Sequence, residues 1–324
     1  MFHITSRGDL ASGPLDEVEE DTLRLVTYQP PGDATPRVGA LDGDRVVDLP
    51  GFASMLDLLE RGPAGLDDAR TVSAVAAVTH PLADVTLLAP LPRPRTMRDF
   101  MLVEEHVRNS FGDVPQEWFR IPVHWKCNPD TVIAPDTVAP WPYYTDKLDF
   151  ELEVAAVIGA PLFRARVAEA EAAIVGYTIF NDWSARDIQF REMSVSIGPA
   201  FGKDFATTLG PCLTTSDAFD ATGARMQARI NGETWSDGTI GAMRFTFAQV
   251  ISTLSEYQPL HPGDVLGGGT VGRGCGLELD RWIAPGDVVE LEVEGIGVLR
   301  NTVGQKDSRP ENPAIDLSRQ EEDA

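Results

Sequence analysis

Two strand-length apolar runs constrain this chain more than any other feature: FELEVAAVIG (150–159) and IVGYTIFND (174–182). Neither carries the period of an amphipathic helix, and both stop at turn-forming residues. That pattern reads as two very apolar strands. Further strand candidates are LRLVTYQ (23–29), RVGALDGDRVVDLP (37–50), MQARINGETW (226–235) and VVELEVEGIGVLRN (288–301). Asp42-Gly43 and Asn231-Gly232 supply hairpin turns inside two of them. Helical stretches are fewer: SMLDLLERG (54–62), residues 67–79, RVAEAEAAI (166–174), SARDIQFREM (184–193) and FTFAQVISTLSE (245–256). Strands cluster instead of alternating with helices, so the expected class is α+β and β-rich, not a doubly wound nucleotide fold.

The organisation follows from punctuation. PLPRPRT (90–96) holds three prolines in seven residues and reads as a linker. It divides a small β-rich N-terminal domain, 23–91, from a larger domain over 96–304. Residues 1–22, with six acids and one Arg, and residues 305–324, polar and acidic, are expected to be flexible tails.

Charge narrows the partners. Fifty Asp and Glu against 27 Lys and Arg give a formal net charge of −23. A nucleic-acid surface needs clustered cations, so that role is excluded, as is docking on an anionic membrane. No run approaches the roughly 20 apolar residues of a membrane span. The first residues lack the apolar core of a secretory signal. Three cysteines, Cys127, Cys212 and Cys275, are odd in number and far apart, which fits neither a disulfide framework nor a paired metal site. The expected compartment is the reducing cytoplasm.

Chemistry-bearing residues occur in five places. Glu151 and Glu153 lead the first apolar run and share one face of a strand. They are either solvated at a strand start or held together by a hard divalent cation. Asp182 closes the second run. It is either a helix cap or a cation ligand, with Arg186 and Gln189 on adjacent turns of the following helix facing one pocket. His106 follows Asp99 by seven residues, about two helical turns, and is either a surface partner of the neighbouring glutamates or a general base over a metal site. Lys203 is either solvated, or neutralises a carboxylate site or binds an anionic substrate. The glycine-dense stretch 267–276 lacks the context of a phosphate or dinucleotide loop, because strand-like Leu277-Glu278-Leu279 follows it. It suits close backbone approach to a ligand, with Thr270 as a donor.

Taken together and in order, these segments resemble the fumarylacetoacetate hydrolase family. Asn181-Asp182-Trp183-Ser184-Ala185-Arg186-Asp187-Ile188-Gln189 is similar to its NDWSARDIQ signature residue for residue. Asp149-Phe150-Glu151-Leu152-Glu153 resembles its D-x-E-x-E strand. Gly198-Pro199 with Gly202-Lys203-Asp204-Phe205 and Thr207-Thr208 resembles a third segment, and Leu260 through Thr270 a fourth. The resemblance implies a mixed β-roll catalytic domain, a homodimer, and a divalent cation held by Asp99, Glu151, Glu153 and Asp182. Mg2+ is the expected ion, with Mn2+ and Ca2+ as alternatives. It further implies His106 as general base, Glu278 as the carboxylate orienting it, and Lys203 as an oxyanion-stabilising cation. Arg186, Gln189, Thr270 and Thr207 fall on or beside substrate positions.

Departures from the fumarylacetoacetase branch lie in the substrate-contact groups. Met101 and Trp125 stand where that branch has tyrosines, Pro115 where it has an arginine, and a further tyrosine falls near Met193. The expected substrate is therefore a related small dioxo acid, such as an acylpyruvate. The expected reaction is hydrolysis of its C–C bond by His-activated water with metal stabilisation of the enolate. Decarboxylation, hydration or isomerisation on the same scaffold is the alternative, and a non-catalytic ligand-binding role is the rival of a different class.

Overall fold

The computed structural model describes residues 22–318. The expected tail 1–22 falls outside this range but for its last residue, as do residues 319–324. Of the C-terminal tail, 305 and 306 instead end the long Gly297–Lys306 strand, and Arg309 pairs with Asp316 at 2.6 Å.

The largest sheet has twelve strands, and its main path runs through the site. At its centre the Ile174–Asp182 strand lies antiparallel to Glu153–Ile158 on one side and Thr207–Thr215 on the other. Every residue of the first two strands is buried. Alternate side chains explain why neither shows a polar face. Val154, Ala156 and Ile158 enter one apolar core, while Ala155 and Val157 enter a second. A fully buried Val or Ile side chain contributes about 1.5–3 kcal/mol, so this two-sided burial makes the central pair a rigid base for charged groups at its ends.

Beyond Glu153–Ile158 the sheet continues through the short Val265–Gly267 strand, then Met97–Phe100 in parallel, then His124–Cys127. In the other direction Thr207–Thr215 pairs with Arg24–Gln29, which carries the Arg37–Asp42 and Arg45–Asp48 hairpin. The sheet is therefore continuous from the 23–91 segment into the larger one, and Leu25, Leu58 and Leu91 share a core with Val157 and Leu213. A second, five-stranded sheet contains Arg225–Ile230, Glu233–Thr239, Val288–Val293 and Gly297–Lys306. The Asn231-Gly232 turn forms as expected, whereas the run over 288–301 is a hairpin and not a single strand.

Among the described residues no helix is long and apolar enough to cross a membrane. The helix expected over 67–79 is Pro63–Val75, because Pro63 suits a first helical position. Leu277-Glu278-Leu279, read as a strand, belongs to the one-turn helix Gly276–Leu279. Its apolar–polar–apolar order fits either form, and left-handed Asp280 (φ 49°) stops the helix.

Candidate active site

Strand pairing alone gathers the acids. Gly267 lies opposite Asp99 on one side and Ala155 on the other. A Cβ on Gly267 would sit 2.6 Å from Asp99 Oδ1 and 3.2 Å from Glu153 Oε2, so glycine makes the room that both carboxylates use. Asp99 is on the Met97–Phe100 strand, so it does not share a helix with His106 as the seven-residue spacing suggested. Glu151 forms an isolated bridge to Cys275, two residues before the strand that Glu153 begins. Carboxylate oxygens of Asp99, Glu151 and Glu153 lie within 4.8 Å of one another, all buried.

Asp182 ends its strand and is not a helix cap; the next helix starts at Arg186. It stands outside the close group of three and joins it through Lys203, whose Nζ donates to Glu151 Oε2 (2.5 Å) and Asp182 Oδ2 (2.7 Å). Lys203 is thus a buried clamp between carboxylates.

The electrostatics follow from this crowding. Burial, with the neighbouring Glu151 charge, pushes Asp99 up to about 6 against the opposing pull of its interaction with Glu153 and of the Lys203 charge. Glu153 is driven well above the usual carboxylate range by burial and then by the charges of Asp99 and Glu151. Asp182 also rises well above it, burial outweighing Lys203. Glu151 behaves oppositely: burial raises it, but Lys203 and Arg186 together hold it down at about 2. Buried acids that resist ionisation this strongly form a poor anion cluster and a good cage for a hard divalent cation. Two further observations fit such an ion: Asp99 Oδ1 and Asp182 Oδ1 are buried with no hydrogen-bond partner. The remaining oxygens are oriented by the protein. Trp125 Nε1 donates to Asp99 Oδ2 (3.2 Å), Gly269 N to Glu153 Oε2 (3.1 Å), and Thr270 Oγ1 to Glu153 Oε1 (3.1 Å).

The acid–base pair comes from two helices. His106, on Glu104–Phe111, has Nδ1 2.7 Å from Glu278 Oε1. Glu278 also accepts Asn109 Nδ2 (2.8 Å) and Arg273 N (2.8 Å) on Oε2, and the Cys275 thiol at 3.5 Å on Oε1. Burial raises Glu278, but His106, Asn109 and the Arg273 amide outweigh it, and the carboxyl is held below its ordinary value. An ionised Glu278 fixes the proton on Nδ1 and leaves the His106 Nε2 lone pair available.

One open cavity brings most of these groups together. Its wall includes Asp99, Glu151, Glu153, His106 and Lys203, together with Met101, Trp125, Gln189, Thr270 and Arg186. Thr207 is not part of this wall: it faces Asp182 across the strand ladder. Arg186, expected to contact substrate, is 2% exposed, with Nε on Asp149 (2.8 Å) and Nη1 on Gln189 Oε1 (3.1 Å). Its Nη2 lies 2.8 Å from both Asp149 and Glu151. Its guanidinium therefore braces the site's own acids. Sequence reasoning did not single out Ser110, Phe111, His124 or Leu277, which also line the cavity. Ser110 and Phe111 follow from one clue: they continue the helix that carries His106.

Comparison with known proteins agrees with this geometry. The family described as fumarylacetoacetate (FAA) hydrolase C-terminal matches residues 96–304. A mitochondrial oxaloacetate tautomerase of Bos taurus is 31% identical over 293 residues, covering 87% of this chain and 91% of that protein. The structure of a probable 2-hydroxyhepta-2,4-diene-1,7-dioate isomerase from Mycobacterium abscessus is 29% identical with a TM-score of 0.72, over 89% of this chain and 100% of that one. A fumarylacetoacetate hydrolase from Exiguobacterium antarcticum is 26% identical with a TM-score of 0.71, over 88% and 100%. The motifs, the β-rich fold and these matches agree: the chain belongs to the fumarylacetoacetate hydrolase family.

Proposed function

We propose that this chain is a divalent-cation-dependent enzyme that moves a proton on a small 2-oxo acid, interconverting its keto and enol forms. The observation that carries the reading is the His106–Glu278 pair beside the buried carboxylates of one cavity. The relative of Bos taurus named for oxaloacetate tautomerisation supports it.

Asp99, Glu151 and Glu153, with Asp182 behind Lys203, would hold the ion, Mg2+ in the first place. When bound, the cation supplies Lewis-acid polarisation of the substrate carbonyl and stabilises enolate charge. The chain's own groups do the rest. His106 Nε2 takes the proton from the carbon next to the 2-oxo group, while Glu278 stabilises the resulting imidazolium through Nδ1. The same Nε2–H then returns the proton to the enolate oxygen. Lys203 and Arg186 hold Glu151 ionised and limit the site's repulsion of an anionic substrate. Gln189 and Thr270 offer polar contacts on the wall. Three buried free thiols suit a reducing cytoplasm.

The second reading is hydrolysis of a C–C bond in a dioxo acid, with Nε2 activating water. Apolar wall residues Phe111, Val123, Met193 and Leu277 favour it, since they offer a surface for an acyl arm that oxaloacetate lacks.

The test supplies Mg2+ or Mn2+ and follows enol-oxaloacetate decay by ultraviolet absorbance. In parallel, acylpyruvates and fumarylacetoacetate are incubated and their products identified by mass. Tautomerisation that drops roughly 10²–10⁴-fold in His106→Ala supports the first reading. Cleavage products without tautomerisation select the second, and a His106→Ala variant with near-full activity contradicts both.

A further inference from the structure

Asp149 belongs to neither the acid cluster nor the base pair, yet it touches the supports of both. Its side chain is buried and accepts four hydrogen bonds. Oδ1 takes the amides of Gly276 (2.8 Å) and Phe150 (2.9 Å). Oδ2 takes the amide of Leu277 (2.9 Å) and Arg186 Nε (2.8 Å). The first arm ends on the helical turn that presents Glu278 to His106. The second ends on Arg186, whose Nη2 stands 2.8 Å from Glu151 Oε1.

The approach is shaped by sequence. A Cβ at Gly276 would lie 2.6 Å from Asp149 Oδ1 and 2.2 Å from the Arg281 carbonyl oxygen. Only a residue without a side chain lets the carboxylate reach those amides. A buried carboxylate with four donors has one low-energy place to sit, so it fixes both arms relative to each other.

We propose that Asp149 is a positioning residue that sets the separation between the His106–Glu278 base and the metal-binding carboxylates. It touches neither substrate nor ion. The inference rests on reading the cavity as a metal-dependent active site, and the experiment separates the two. Asp149→Asn keeps the size but replaces one acceptor oxygen with a donor. That donor faces either the Gly276 and Phe150 amides or the Leu277 amide and Arg186. Support groups of this kind change metal affinity or activity by roughly 10–100-fold.

The folded variant should bind Mn2+ about tenfold more weakly by calorimetric titration. It should also show a kcat about tenfold lower at saturating Mn2+. The acid limb of its pH–rate profile should move to lower pH, because a displaced Glu278 stabilises the imidazolium less. A merely structural loss would reduce melting temperature and active fraction without moving that limb. Arg186→Lys cuts only the second arm, so Mn2+ binding should weaken while the limb stays. It carries the test alone if Asp149→Asn does not fold. Wild-type Mn2+ affinity in the folded Asp149→Asn variant, or in Arg186→Lys, overturns the positioning role. A wild-type chain that binds no Mn2+ overturns the metal-site reading itself, and the positioning role with it.

Discussion

Replacing Asp99 by Asn isolates the electrostatic strain in the cavity. The side chain is buried beside Glu153 and Glu151, and its pKa in the folded chain is about 6. In an unfolded chain Asp titrates near 3.9, and the gap is worth roughly 3 kcal/mol. The sign follows from linkage. The folded chain holds a proton that the unfolded chain has lost, so this group's contribution is fully present below about pH 4. It disappears as pH rises through about 6. Asn does not titrate, is nearly isosteric, and can still accept from Trp125 Nε1. In EDTA, therefore, Asp99→Asn should gain roughly 3 kcal/mol relative to the natural chain between pH 4 and pH 7. Urea midpoints at the two pH values, with both chains measured together, read that difference directly. With saturating Mn2+ at pH 7 the order should reverse, since the variant lacks a ligand that the ion stabilises. A stability difference that does not change with pH in EDTA would refute the account of Asp99 as a strained, ion-seeking carboxylate.

Lys203→Met removes the ammonium between Glu151 and Asp182 and leaves buried charge uncompensated. A cost of about 3–5 kcal/mol is expected, read as a melting temperature roughly 4–8 °C lower for a chain of this length; a loss below about 2 °C would contradict the clamp. Glu278→Gln should lower kcat and move the acid limb of the rate profile to lower pH while leaving Mn2+ affinity unchanged, which pairs kinetics with titration. Val195, Ile197 and Phe201 are exposed apolar side chains on one segment near the site. The proposed homodimer would cover such a surface, and sedimentation showing only monomer at micromolar concentration contradicts it.

The sequence revealed parts of the site wherever local geometry decides. Glu151 and Glu153 share a face because strand side chains alternate, and both do reach one cavity. Asn181 to Gln189 is one continuous segment, so Arg186 and Gln189 arriving together needed only helical spacing. Asp99 was assigned the wrong element because its four-residue strand is created by parallel pairing with Val265–Gly267. That pairing spans more than half the chain, and no local period encodes it. Glu278 was placed on a strand because Leu-Glu-Leu fits both periods; the amides caught by Asp149 and the left-handed Asp280 make it a helical turn. Arg186 was expected at a substrate position, whereas neutralising a carboxylate site was already one of the readings open for Lys203. Burial turns both inward, where Arg186 pairs with Glu151 and Lys203 with Glu151 and Asp182, acids that need counter-charge before any ligand arrives. The notable omission, Asp149, was visible in the D-x-E-x-E segment but has no chemistry of its own to advertise.

We propose that these acids form one cation site that is strained until the ion arrives. Calorimetric titration of the EDTA-treated chain with Mn2+, repeated at pH 5.5 in buffers of different ionisation enthalpy, tests it most directly. Asp99, at about 6, and Glu153, pushed well up by burial, must shed protons for the ion to bind. The account predicts one Mn2+ per chain, at least about one proton released per ion near pH 5.5, and affinity that rises with pH. It also predicts that Glu153→Gln removes most of that binding. Absence of saturable binding, or binding without proton release and unaffected by Glu153→Gln, would contradict it.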